Sequence, residues 1–132
     1  MELQIIHEDQ FGNTVAVALF YRITENKSDF LSDLGFGGTN PIFEKKLRNQ
    51  ISVSLETSNK LNIGEDINKM NRFISYTGSL TSPPCTKNIK WFLATTKLEM
   101  TQDQLDSFPI IFGRETNIRG IFSLLNRKLT IN

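Results

Sequence analysis

Two residue types that build metal sites and cross-links are nearly missing from this sequence. His7 is the only histidine and Cys85 the only cysteine among 132 residues. A single cysteine excludes a disulfide bond within the chain, and it leaves any zinc site with at most one sulfur ligand. The lone Cys85 fits an intracellular or organellar setting. The compartment itself stays open.

Strong net charge and long apolar runs are absent as well. The formal charge of +1 gives no electrostatic reason to expect a nucleic-acid partner or an anionic membrane surface. No apolar run approaches the roughly 20 residues that a membrane span requires. Residues 1–4 include an acid and lack the basic and apolar regions of a signal peptide, so no such peptide is expected.

What remains is an ordinary globular composition with several strand patterns. Apolar residues make up 39% and charged residues 22% of a chain that is long enough for one domain but short for two. Thr14–Ile23 is apolar on both faces, which predicts a central position in a sheet. Four further segments have the apolar patterns of strands. They are Leu3–Ile6, Phe73–Tyr76, Asn88–Lys97 and Lys128–Ile131.

Two helices are predicted around this sheet. Asn40 and Pro41 are typical of a helix N-terminus, and an apolar residue then recurs every four positions. Thr101 and Gln104 form a capping box, which predicts the start of another helix. Pro109 is expected to end that helix.

The segment Tyr76–Cys85 is the stretch best suited to a functional site. Gly78 predicts a turn after the preceding strand, and Pro83 and Pro84 prevent further ladder pairing. The hydroxyl side chains between the glycine and the prolines are therefore presented from stiff backbone, and binding groups are often held on such loops. An ordinary connection between two strands explains the same pattern, and composition alone favours it.

The same segment resembles the signature loop of the α-class carbonic anhydrases. The run Y-x-G-S-L-T-x-P-P-C, followed by Trp91, matches that loop in order and without a gap. Further resemblances follow along the chain. Glu2–His7 is similar to the family's E-L-H-x-V-H strand, Val15–Arg22 to its A-V-x-x-I-x-Y-K strand, Thr101–Phe108 to S-x-x-Q-L-x-x-F, and Asn117-x-Arg119 to N-x-R. The resemblance implies a single, partial domain over residues 1–132. It would be mainly β, with a largely antiparallel central sheet and peripheral helices.

The resemblance also implies that the zinc site is lost. The family holds zinc with three imidazoles, and the N-terminal part that supplies its H-x-H strand, proton-shuttle histidine and a glutamate has no counterpart here. The remaining ligand position is Gln4, whose amide oxygen is a weak donor for zinc beside an imidazole. His7 matches a family histidine that does not coordinate. We therefore expect no metal cofactor, and zinc only if another chain completes an enzyme.

Several other family positions are retained. Thr81 matches the threonine that accepts a hydrogen bond from zinc-bound hydroxide, and Glu2 matches an acid that orients the third ligand. Neither is expected to be functional once their partners are missing. The family's carbon dioxide wall matches Ile6, Ala16, Leu80, Ile89 and Trp91, so these residues and Thr81 are the candidate pocket. Inward-facing strand residues are equally explained as core, and we favour core. Cys85 is interpreted as a small buried apolar residue.

Three functions are consistent with these residues. The favoured hypothesis is a non-catalytic carbonic-anhydrase-like subunit that acts as a structural or interaction component of a larger assembly of protein chains. The alternative is the C-terminal piece of a split or truncated zinc carbonic anhydrase, which would hydrate carbon dioxide reversibly once another chain completed it. A free-standing binding module for a small apolar or anionic ligand is the third.

We also expect the chain to have a protein partner. In the family, strands from both parts of the sequence belong to one sheet, so the missing part should leave an open strand edge. It should also leave bare apolar faces on Val15–Tyr21 and Ile89–Thr95.

Overall fold

A computed structural model describes residues 1–38, 62–112 and 120–131. In chain order, its elements are β1 (Glu2–Glu8), β2 (Thr14–Ile23), α1 (Asp29–Asp33), α2 (Gly64–Asn68), β3 (Phe73–Ser79), β4 (Lys87–Met100), α3 (Gln102–Phe112) and β5 (Thr130–Ile131). Within these ranges none of the helices has the length and apolar character needed to cross a membrane. The helix predicted at Asn40–Pro41 and the N-x-R motif at Asn117 and Arg119 lie outside the described residues.

The strands of the described ranges form one five-stranded sheet in the order β1-β2-β4-β3-β5. The pairs β1–β2, β3–β4 and β3–β5 are antiparallel, and the sheet as a whole is mixed. The apolar strand β2 is an inner strand, as its two apolar faces predict. The mainly β fold with a largely antiparallel sheet and peripheral helices is therefore confirmed.

The chain divides into two compact units, of which the first is Met1–Tyr21, Asp66–Leu98 and Phe122–Asn132. Its core is built on one face of the sheet. The buried members of this core cluster are Ala16, Ala18, Ile89 and Trp91, and Phe20, Tyr76, Leu80 and Leu93 pack against them. Ala16 and Ala18 have small side chains, so the cluster can also hold the large indole of Trp91.

The expectation that these strands would be bare is wrong. On β2, Ala16 and Leu19 have no exposed surface, and on β4 Ile89 and Trp91 are each 2% exposed. Ala16, Ile89 and Trp91 are covered by packing within the core cluster, to which Leu80 of the loop after β3 contributes. The large apolar residues that are exposed lie elsewhere in the described part of the chain, and half of them fall within residues 122–131.

Gly78 lies inside β3 and does not form the turn predicted from the sequence. It is paired with Ile89, and a bulge follows between Gly78 and Ser79. A β-carbon at Gly78 would lie 2.9 Å from Cε2 of Tyr76 and 3.2 Å from Cδ1 of Trp91. These two rings are stacked, with centroids 6.3 Å apart and planes 13° from parallel. The glycine is therefore required by close packing under two aromatic rings.

We predict that Gly78→Ala lowers the free energy of unfolding by about 1–3 kcal/mol, because the added methyl group overpacks the ring pair. Urea unfolding followed by the fluorescence of Trp91, the only tryptophan, measures the change. Gly120→Ala is the control, since a β-carbon there meets nothing within 4 Å. Equal stabilities of the two variants would contradict the packing argument.

The second unit, Arg22–Glu65 and Glu99–Ile121, contains a buried amide at the start of α3. The capping box is confirmed: Gln104 N donates to Thr101 Oγ1 at 3.4 Å, and Thr101 N donates to Gln104 Oε1 at 3.2 Å. The same Oε1 accepts from Ser28 N at 3.0 Å, and Nε2 donates to Ser28 O at 2.8 Å and to Ser32 Oγ at 3.0 Å. One glutamine side chain thus joins the first turns of α1 and α3.

Pro109 lies within α3, which continues to Phe112, so the prediction that it ends the helix is wrong. The fixed φ of proline is compatible with helical backbone, and the residue removes one backbone donor and crowds the carbonyl one turn earlier. The cap at Gln104 and the packing of the first turn stabilise the part of α3 that precedes Pro109.

We predict that Gln104→Ala lowers the free energy of unfolding by about 2–4 kcal/mol. The substitution removes the side-chain acceptor of the Ser28 and Thr101 N–H groups, and each buried unpaired group costs about 1–3 kcal/mol. Ser28 O keeps the bonds that it accepts from Ser32. Gln102→Ala is a matched control in the same turn, because that side chain is exposed and bonds only to Asp106 among the described residues. Chemical denaturation of both variants decides the point, and similar losses would refute the role of Gln104.

Candidate functional site

Gln4 is the centre of a short chain of side-chain hydrogen bonds. Thr81 Oγ1 donates to Gln4 Oε1 at 2.9 Å, and Gln4 Nε2 donates to Glu2 Oε1 at 3.0 Å. Glu2 and Gln4 share one face of β1 because side chains alternate along a strand, and the loop after β3 brings Thr81 to them. The three residues singled out from the sequence by their polar roles are therefore neighbours. Both ends of the Gln4 amide are engaged.

The loop that carries Thr81 is held by its own backbone. Leu80 N donates to Thr86 O at 2.9 Å, and Cys85 N donates to Ser82 O at 2.9 Å. At the start of the loop, the indole N–H of Trp91 donates to the carbonyl oxygen of Ser79 at 3.0 Å. These bonds give the stiff loop a physical basis beyond its prolines. Cys85 is only half-buried, so its interpretation as a buried apolar residue is only partly correct.

The candidate pocket residues lie on the same face as Gln4, in or beside the core cluster. Ala16, Ile89 and Trp91 are buried members of that cluster, and Leu80 packs against it. Ile6 is opposite Ala16 in the ladder and is 52% exposed. The apolar positions are thus brought together mostly as packed core. A role for them in binding a small molecule stays a prediction.

The described residues do not fit the zinc centre that the resemblance would require. His7 lies three positions from Gln4 on β1, so the two side chains point to opposite faces of the sheet. No cluster of three or more His, Cys, Asp or Glu side chains suited to a metal ion occurs in residues 1–38, 62–112 and 120–131. The oxygen of Gln4 already accepts a hydrogen bond, and amide oxygen is a poor zinc ligand in this chemistry.

Sequence reasoning missed Arg127, which packs on the outer side of the aromatic pair. Its guanidinium carbon lies 5.7 Å from the centre of the Tyr76 ring. Its Nε donates to Leu124 O and its Nη2 to Ser123 O, each at 2.8 Å. A cation held in this way over a ring is stabilised by the ring's negative face. No local periodicity marks the residue, because its partner lies far away in the chain.

Burial raises the pKa of Tyr76 above its ordinary value of 10.0, Arg127 opposes this shift, and Glu2 adds to it. The neutral phenol is therefore favoured in the folded protein. Its contribution to stability is complete below the unfolded pKa and is lost as pH rises above about 10.

We predict that the wild type loses more free energy of unfolding between about pH 9 and about pH 11 than Tyr76→Phe does. Urea unfolding at a series of pH values measures the difference. Ionisation of Tyr21, the other tyrosine, is common to both proteins and cancels in the comparison. Parallel losses of stability in the two proteins would show that Tyr76 is not the group responsible.

The fold and the sequence both match known carbonic anhydrases. The family model of the eukaryotic-type carbonic anhydrases matches residues 1–131. A carbonic anhydrase of Nostoc sp. is 26% identical over 131 residues, covering 96% of this chain and 44% of the relative. Dioscorin dioA3 of Dioscorea japonica is 32% identical over 92 residues, covering 69% of this chain and 31% of the relative.

Solved structures give the same fold. An α-carbonic anhydrase from Thermovibrio ammonificans, in complex with the inhibitor sulfanilamide, superposes with a TM-score of 0.75 at 23% identity. That match covers 97% of this chain and 52% of the other. A dioscorin complexed with ascorbate superposes with a TM-score of 0.71 at 20% identity and covers 98% of this chain and 52% of the other.

These matches define a carbonic anhydrase domain of the α class. The chain belongs to the eukaryotic-type carbonic anhydrase family, as the signature loop indicated. It spans about half the length, or less, of the relatives it matches.

Proposed function

We propose that this chain is a non-catalytic carbonic-anhydrase-like subunit that serves as a structural or interaction component of a larger protein assembly. The observation that carries the proposal is the state of Gln4. An amide occupies the position that a ligand imidazole takes in the family, and it is bonded to both Glu2 and Thr81. The side chains that would assist a zinc-bound water instead bond to a neutral amide.

The donor chemistry supports the same function. A catalytic zinc site keeps three protein ligands and one open position, and the metal's charge makes bound water acidic near pH 7. One histidine, on the opposite face from Gln4, and one half-buried cysteine cannot supply such a set. In such a subunit Thr81 has no metal-bound hydroxide to orient, and its hydroxyl donates a hydrogen bond to Gln4 Oε1.

A second candidate is one piece of a zinc-dependent carbonic anhydrase that another polypeptide completes. Two observations favour it: the chain spans only about half of its relatives, and Glu2 and Thr81 are still held beside position 4. Under this function a partner would have to supply at least two imidazoles. Gln4 would then be the weakest ligand of the set.

We predict that the purified chain binds no stoichiometric zinc and does not hydrate carbon dioxide. Elemental analysis and stopped-flow hydration assays, with an aryl sulfonamide as inhibitor, measure both. One zinc per chain with sulfonamide-sensitive activity would overturn the non-catalytic proposal.

Gln4→His sharpens this test when it is mixed with a polypeptide carrying the part of the Nostoc carbonic anhydrase that this chain does not match. Zinc uptake by the Gln4→His mixture but not by the wild-type mixture would identify Gln4 as the cause of the lost site. Gln4→Asn is the matched control, because it keeps an amide while shortening the side chain. Zinc uptake by the wild-type mixture would favour the second candidate.

A further inference from the structure

Residues Ser123–Ile131, here called the C-terminal strap, are attached to β3 at two places. β5 pairs with Ile74 and Ser75. Three to four residues before β5, the guanidinium carbon of Arg127 lies 5.7 Å from the centre of the Tyr76 ring. The strap is therefore joined to β3 by a short backbone ladder and by one cation over an aromatic ring.

A tight turn holds the Arg127 side chain in this position. Leu125 and Asn126 have left-handed backbone, with φ of 47° and 62°, and Arg127 N donates to Leu124 O at 2.9 Å. This arrangement is typical of a type I′ turn. The side-chain donors of Arg127 bond to Leu124 O and Ser123 O, each at 2.8 Å. The cation is thus fixed to its own turn and moves with the strap.

The remaining attachment of the strap is weak. Most of its large apolar side chains are exposed, among them Leu125 at 79% and Ile131 at 66%. The strap therefore gains little from apolar burial, and its ladder to β3 involves only two residue pairs. Segments with few buried contacts open locally at a lower free energy than the sheet core does. Arg127 accordingly contributes a large share of what keeps the strap in place.

The ring under Arg127 leads directly to the loop after β3. Tyr76 stacks on Trp91, and the indole N–H of Trp91 donates to Ser79 O at 3.0 Å. The two rings pack so closely over Gly78 that a β-carbon there would lie 2.9 Å from Tyr76 and 3.2 Å from Trp91. Because close-packed groups transmit displacements, a shift of the Tyr76 ring moves the indole as well.

The bond from the indole fixes the start of the segment that carries Thr81. Ser79 is two residues before Thr81, and Leu80 N between them donates to Thr86 O at 2.9 Å. Thr81 Oγ1 in turn donates to Gln4 Oε1 at 2.9 Å. The hydrogen bond at Gln4 is therefore geometrically dependent on the indole, and the indole is supported by the ring that Arg127 covers.

We propose that the C-terminal strap controls the order of the loop after β3, with Arg127 as a positioning residue that acts through Tyr76 and Trp91. While the strap is attached, the indole holds Ser79 O and Thr81 stays bonded to Gln4. When the strap detaches, the ring stack loosens and the bond at Gln4 opens. This inference deepens the proposed function, since it concerns the regulation of the same Gln4 site and rests on that site being an amide.

Hydrogen exchange of the Trp91 indole N–H in the full, metal-free chain tests the proposal. Trp91 is the only tryptophan, so its indole gives one resonance in an NMR spectrum. Arg127→Met keeps a long side chain but removes the cation and both donors, and we expect it to raise the indole exchange rate about tenfold. Lys128→Met is the matched control, because it removes the same charge from the neighbouring, exposed position. We expect that variant to exchange like the wild type.

Two further measurements separate this coupling from a general loss of stability. Indole exchange should depend only weakly on low concentrations of urea, whereas backbone amides of β2 should depend on urea strongly, because only the latter require global unfolding. In a Tyr76→Leu background, Arg127→Met should have no additional effect on the indole, since the coupling passes through that ring. The side-chain amide signals of Gln4 should shift in Arg127→Met towards their positions in Thr81→Val.

Three outcomes would overturn the proposal: equal indole exchange in Arg127→Met and Lys128→Met, indole exchange as dependent on urea as that of β2, or an undiminished effect of Arg127→Met in the Tyr76→Leu background. The zinc content of the purified chain separates this inference from the proposed function. Stoichiometric zinc would refute the non-catalytic role, while the exchange comparison would still decide whether the strap holds the loop.

Discussion

The first unit depends on the packing of one indole ring. Trp91 shares a core cluster with Ala16 and Ala18 of β2, stacks on Tyr76 of β3 and donates its N–H to the carbonyl of Ser79. A buried tryptophan contributes a large apolar area, and it usually needs one partner for its polar atom. Here that partner is the first carbonyl of the signature loop. The ring therefore fixes the sheet core and the start of the loop together.

The position of Thr81 follows from this constraint, and with it the chemistry of the site. A ligand imidazole would donate one N–H to an acid and offer its other nitrogen to a metal. The Gln4 amide keeps the first half of this arrangement, because its Nε2 donates to Glu2. Its other end is an oxygen that accepts from Thr81. Under the proposed function, an amide in place of the ligand imidazole keeps the scaffold of the site and leaves a closed hydrogen-bond chain.

Local patterns in the sequence were sufficient for the features that local physics determines. The apolar run on both faces predicts β2, and the capping box predicts the start of α3, because each signal and its cause lie within a few residues. The signature loop gave the family because its order of hydroxyl, glycine and proline residues is specific.

Gly78, Pro109 and Arg127 could not be interpreted in this way. The glycine serves two rings that approach across strands, the proline is retained within a helix that tertiary packing supports, and the arginine contacts a distant ring. Each depends on neighbours that only the folded chain brings near. The same holds for the strands that were expected to be bare, since the sequence shows which side chains are apolar but not what covers them.

The two groups of apolar side chains in the first unit differ in whether the chain itself covers them. The side chains around Trp91 are covered within the chain itself, so these residues need no second polypeptide to leave water. The side chains of Phe122–Ile131 remain exposed although their backbone is fixed by β5 and Arg127. A collapsed chain could lower its free energy by turning Leu125 inward, at about 25 cal/mol for each Å² removed from water. The left-handed turn holds that side chain outward instead.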